Sequence, residues 1–103
     1  MRFIIEKALD SPLNVLRRSG YAFLRKDEKT GELSFIKRVS AGDYPRFHIY
    51  AKQDVKGNVQ VNLHLDQKKA SYEGTTAHSG EYESGENKWL EHEAAIIKKE
   101  FSK

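Results

Sequence analysis

The chain has 103 residues, 38% hydrophobic and 32% charged, with a formal net charge of +3 and no cysteine. That length fits a single domain spanning residues 1–103, and eleven aromatic residues argue against a disordered chain. The missing thiols exclude disulfides, zinc fingers and thiol catalysis. No apolar run approaches the ~20 residues that cross a bilayer. The opening Met1-Arg2-Phe3-Ile4-Ile5-Glu6 has too short an apolar stretch for a signal peptide, so a soluble cytoplasmic domain is expected.

The charge is uneven. Residues 1–52 hold eleven Lys and Arg against six Asp and Glu, while residues 53–103 hold seven Lys against nine acids. All six arginines lie in the first half, and their planar forks suit phosphate or carboxylate.

Residues 1–10 leave helix and strand both open, since Phe3-Ile4-Ile5 suits a buried strand and Ala8 and Leu9 extend a helical face. Ser11-Pro12 is a sharper signal, with a capping hydroxyl followed by the residue favoured at the first helical position. With Leu13 and Leu16 a turn apart, Arg17-Arg18 at the end and Gly20 beyond, the spacing predicts a short helix over residues 12–18.

Two hairpins are expected next. Residues 21–26 and 33–39 flank Glu28-Lys29-Thr30-Gly31-Glu32, whose Gly31 suits a three-residue loop with a bulge. The mixed faces of this pair leave its register open. Residues 45–53 and 58–66 form the cleaner pair, because Asn58 to Asp66 alternate strictly between polar and apolar side chains. A Val55-Lys56-Gly57 loop closing Asp54 against Asn58 sets Phe47 opposite Leu65, Ile49 opposite Leu63 and Ala51 opposite Val61. The other face then carries Arg46 opposite Asp66, His48 opposite His64, Tyr50 opposite Asn62, and Lys52 opposite Gln60.

Residues 67–86 hold three glycines and almost no aliphatic residue, and read as a long polar loop with room for a short strand near His78 to Tyr82. Asn87 is expected to cap a final helix from Lys88 to Phe101. Its apolar stripe is Leu90, Ala94, Ile97 and Phe101, widened by Trp89 and Ile96, with Trp89 at the core or its rim. The fold class expected is α+β. It comprises a four-stranded antiparallel sheet of two hairpins, five-stranded if the N-terminus adds a strand, with the C-terminal helix on one face and a short N-terminal helix.

Three chemistries follow from this layout. His48, His64 and Asp66 share a face and form the donor set of a two-histidine, one-carboxylate metal site, with His78 available as a third nitrogen. Arg46 opposite Asp66 would compete for that carboxylate. A nucleophilic site at Ser79 beside His78 lacks an elbow motif, and no glycine-rich phosphate loop occurs, so no nucleotide cofactor is expected.

The polar face better suits binding. Arg46, His48, Tyr50, Lys52, Asn62 and His64, with Lys68 and Lys69 just beyond, are the expected ligand-binding residues. Arg25, Lys37, Arg38 and Arg17-Arg18 would extend the basic patch. Flat rings flanked by cations resemble in composition the surfaces that stack single-stranded bases. Tyr72 and Tyr82 in the loop fit a protein partner instead. The expectation is thus a small binding or regulatory domain, taking a protein or a nucleic acid, with the metal site as the alternative.

Overall fold

In the computed structural model, which describes residues 1–67 and 84–103, the strand pair at the centre of the chain adopts the register that its alternation demands. β4 (Arg46–Gln53) and β5 (Val59–Asp66) pair antiparallel with Phe47 opposite Leu65, Ile49 opposite Leu63 and Ala51 opposite Val61. Asp54 and Asn58 close the turn through the Asp54 N–H to Asn58 carbonyl bond at 2.9 Å, and Gly57 sits at φ +91°. Only a residue without Cβ takes that conformation without steric cost. The Asp54 carboxylate secures the loop by accepting from the Lys56 and Asn58 N–H groups, each at 2.9 Å.

β2 (Ala22–Lys26) and β3 (Leu33–Arg38) form the other hairpin, with β3 laid against β4. Its loop is one residue longer than the pattern predicts. Asp27 N–H bonds to the Glu32 carbonyl at 2.8 Å, leaving Glu28, Lys29, Thr30 and Gly31 between them, with Gly31 at φ +80°. The register slips between Phe23 and Arg25, so Leu24 is a bulge residue. That irregularity is why alternation alone did not set this register.

The N-terminal ambiguity resolves as strand. β1 (Arg2–Ile5) pairs antiparallel with β5, giving a five-stranded sheet of order β1-β5-β4-β3-β2. Phe3 and Ile5 follow the inward residues Val61 and Val59, and pack against the core.

α1 (Pro12–Arg18) has the predicted bounds and caps. The Ser11 hydroxyl accepts from the Asn14 N–H at 3.2 Å. At its other end Tyr21 N–H reaches the Leu16 carbonyl and Gly20 N–H the Arg17 carbonyl, with Gly20 at φ +96°. This pair of bonds is the Schellman closure that a glycine past a helix permits.

α2 (Ser84–Phe101) starts four residues earlier than expected, so Asn87 lies inside it and is not its cap. Residues 84–86, expected in the polar loop, belong to this helix. Both helices contribute to the core on one side of the sheet, where Val15, Leu16, Ala94, Ile97 and Phe101 meet Phe35, Phe47, Ile49, Val61 and Leu63. The predicted widening of the α2 stripe does not hold, because Trp89 and Ile96 are 46% and 38% exposed. Glu93 takes the inward position instead, only 4% exposed.

Candidate binding face

Alternation sends one set of sheet residues to the helices and the other to a face that neither helix covers. Along β4 the set turned away from the helices is Arg46, His48, Tyr50 and Lys52, and along β5 it is Gln60, Asn62, His64 and Asp66, as the registry predicts. Neighbouring strands extend the rows. Arg2 joins Asn62, Tyr50, Ser34 and Arg25 in one line across all five strands. Ile4 stands beside Gln60 in the next.

Three rings run through the middle of this face. His48 stacks on Tyr50 with centroids 4.5 Å apart and planes tilted by 31°, and His64 meets Tyr50 edge-on at 6.0 Å. Both His48 nitrogens are engaged. Nε2 shares a hydrogen bond with Ser34 Oγ at 3.0 Å, and Nδ1 lies 3.5 Å from Asp66 Oδ2. Arg46 Nε is also 3.5 Å from that carboxylate oxygen, while its guanidinium lies over the Tyr44 ring at 4.7 Å. The His48 bond, helped by the charges of His48 and Arg46, holds the Asp66 carboxyl below its usual range against the opposing effect of burial.

These contacts bear on the metal alternative. His48 faces His64 and lies near Asp66, as expected, but its two nitrogens point at Ser34 and Asp66 and offer no shared vertex to an ion. Among the described residues no group of three His, Asp or Glu side chains is placed to hold a metal.

The Ser34, His48 and Asp66 chain was not anticipated, and its atom order matches that of a nucleophilic relay. The setting does not. Ser34 is 6% exposed, and β3 is paired on both sides, so its backbone N–H groups serve the ladder and not an oxyanion. The chain of bonds satisfies buried polar atoms and fixes the His48 ring.

The extended basic patch needs correction. Arg25 and Arg38 lie on the open face, with Arg38 3.4 Å from Asp43. Lys37 points the other way, toward the helices, where its ammonium meets the Glu93 carboxylate at 2.5 Å. Tyr21 donates its hydroxyl to the same carboxylate at 2.8 Å. Arg17 and Arg18 belong to α1 on the covered side, and Arg18 is held by Asp10 and Glu100 at 3.2 and 3.1 Å. The buried pair was legible in hindsight. Lys37 falls in phase with Leu33 and Phe35, and Glu93 lies three residues after Leu90 and four before Ile97, so two opposite charges occupy core positions.

Lys68, Lys69, Tyr72, His78, Ser79 and Tyr82 lie outside the described residues, as do the predicted strand near His78 and most of the 67–86 loop. Among the described residues no helix is long and apolar enough to cross a membrane. Comparisons with family models, with curated proteins and with solved structures give no match for this chain.

Proposed function

We propose that this chain is a non-enzymatic binding domain for single-stranded nucleic acid, with the sheet face turned away from the helices as its contact surface. The observation that carries the reading is the row of rings His48, Tyr50 and His64 set among cations that the fold leaves unused. Arg2, Arg25 and Lys52 make no ion pair among the described residues, whereas Arg18, Lys37, Arg38 and Arg46 do. A flat surface with a ring for bases and separated cations for phosphates matches the two demands of a flexible polyanion. The adjacent Arg46 and Asp66 pair fixes one end of the surface, so the free cations at its flanks set the electrostatics.

The test is binding of labelled oligonucleotides followed by fluorescence anisotropy across a salt series. Three phosphate contacts predict a log–log slope against salt of roughly −2, at about −0.7 per contact for single strands. Arg25→Ala and Lys52→Ala should each weaken binding and flatten that slope. No binding to any oligonucleotide at low salt would refute the proposal.

A further inference from the structure

Across the open face runs a shallow groove lined by Arg2 and Ile4 of β1, Gln60 and Asn62 of β5, Tyr50 of β4, and Glu32 at the entrance to β3. Its polar groups share one property. The Glu32 carboxylate, the Gln60 and Asn62 amides, the Tyr50 hydroxyl and the Arg2 guanidinium make no side-chain hydrogen bond or ion pair among the described residues. Elsewhere on the sheet the polar side chains of Ser34, His48, Arg46 and Asp66 contact one another. The fold therefore consumes the polar groups at one end of the face and leaves those of the groove unspent.

The groove has a stacking wall. His48 covers one face of the Tyr50 ring from two residues back along the strand. The opposite face looks along β4 toward position 52, on the side where Gln60 and Glu32 stand. A carboxylate lining the same groove as Tyr50 stands out on a surface otherwise suited to phosphates, since it repels the backbone of a nucleic acid. What it accepts well is a pair of neighbouring N–H donors. Among the bases, guanine alone presents two adjacent donors, N1–H and the N2 amine, on one edge. Its O6 and N7 are acceptors that amide or guanidinium donors can reach.

From this juxtaposition we infer that the groove is a guanine subsite of the nucleic-acid surface. Tyr50 stacks the base, Glu32 accepts from its Watson–Crick edge, and Gln60, Asn62 and Arg2 supply donors to the acceptor side or to the neighbouring phosphate. The inference rests on the nucleic-acid reading above, and gives it a sequence preference that stacking and charge alone do not provide.

The experiment uses the full chain and four labelled octamers at one low salt concentration: all-dT, and dT with a single central dG, dA or dC, with RNA counterparts alongside. The dG octamer should bind about tenfold or more tightly than the other three, within the discrimination a bidentate base contact gives. Glu32→Gln should abolish that preference while leaving all-dT binding unchanged or slightly improved. Tyr50→Ala should weaken all four octamers. Equal affinity for the four, or a guanine preference that survives Glu32→Gln, overturns the subsite and leaves the broader reading intact. Failure of every octamer to bind overturns both.

Discussion

Removing the Glu93 carboxylate tests the packing argument most severely. Glu93 is 4% exposed and touches two partners at once, the Tyr21 hydroxyl at 2.8 Å and the Lys37 ammonium at 2.5 Å. In Glu93→Ala the ammonium keeps, among the described residues, only the Ser19 carbonyl at 3.4 Å and the ring faces of Tyr21 and Phe47, at 4.9 and 5.9 Å. Breaking one side of a buried ion pair costs about 3–5 kcal/mol, because the remaining charge stays desolvated. The Lys37 side chain retains 25% of its exposure, so water can reach the stranded charge and the lower half of that range applies. The Tyr21 hydroxyl also loses its acceptor, a cost of about 1–3 kcal/mol that overlaps the first. A net loss of about 3–4 kcal/mol is expected, a large share of the ~5–15 kcal/mol that stabilises a domain of this size. Urea denaturation followed by far-UV circular dichroism measures it, with Trp89 fluorescence as a second probe one turn from the site. Glu93→Gln preserves an acceptor for Tyr21 and should cost less than Glu93→Ala. The double variant Lys37→Met with Glu93→Leu removes both charges and should recover most of the loss, leaving only the cost of the unpaired Tyr21 hydroxyl, about 1–2 kcal/mol. A loss below about 1 kcal/mol in Glu93→Ala would refute the reasoning. So would a double variant as unstable as the single one.

Three further outcomes follow from the same contacts. Burial, reinforced by the Glu93 charge and hydrogen bond, pushes the Tyr21 phenol far above its ordinary value. Above about pH 10 the unfolded chain releases this proton while the folded chain keeps it, so stability should fall as pH rises; tyrosinate absorbance should show one of the five tyrosines titrating only on unfolding. At the acid end, the lowered Asp66 carboxyl contributes stability above its unfolded value of about 4 that is lost as pH falls through its lower folded value. Asp66→Asn should remove that part of the pH dependence, and an unchanged profile would deny Asp66 its role. Gly57→Ala forces a side chain into φ +91° and should cost about 1–2 kcal/mol by urea denaturation, whereas Val55→Ala, at a fully exposed neighbour in the same loop, should cost almost nothing.

How far the sequence could be read varied with the local signal. The pairing of β4 and β5 was legible to the residue, though each strand starts one residue later than expected, because the Gly57 turn and the alternation of Asn58 to Asp66 impose the same register. α1 was equally clear from Ser11, Pro12 and Gly20. The β2 and β3 register was hidden by the Leu24 bulge, which breaks the two-residue period on which such readings depend. β1 was ambiguous because four residues can satisfy helix and strand patterns alike, and only the vacant edge of β5 decides. At the candidate site, alternation located Arg46, His48, Tyr50, Asn62 and His64 on one face. It could not reveal that Ser34 lies within reach of His48, or that Glu32 and Arg2 line one groove. Those neighbours come from strands whose register is set only when the sheet assembles. Lys37 was misassigned because a charge was taken as a surface residue, although its phase matched Phe35.

The position of β1 also bears on the order of events during folding. Each hairpin closes over a short loop, so its strands can meet at little entropic cost. Phe3 and Val61, by contrast, are 58 positions apart, and their pairing must wait for the N-terminus to find the middle of the chain. The β4 and β5 hairpin is therefore the expected nucleus, and β1 the strand that seals the assembled sheet. In kinetic terms, damage at Gly57 should slow folding, while damage at Phe3 should mainly hasten unfolding. Chevron analysis reporting the reverse would mean that β1 and β5 meet first.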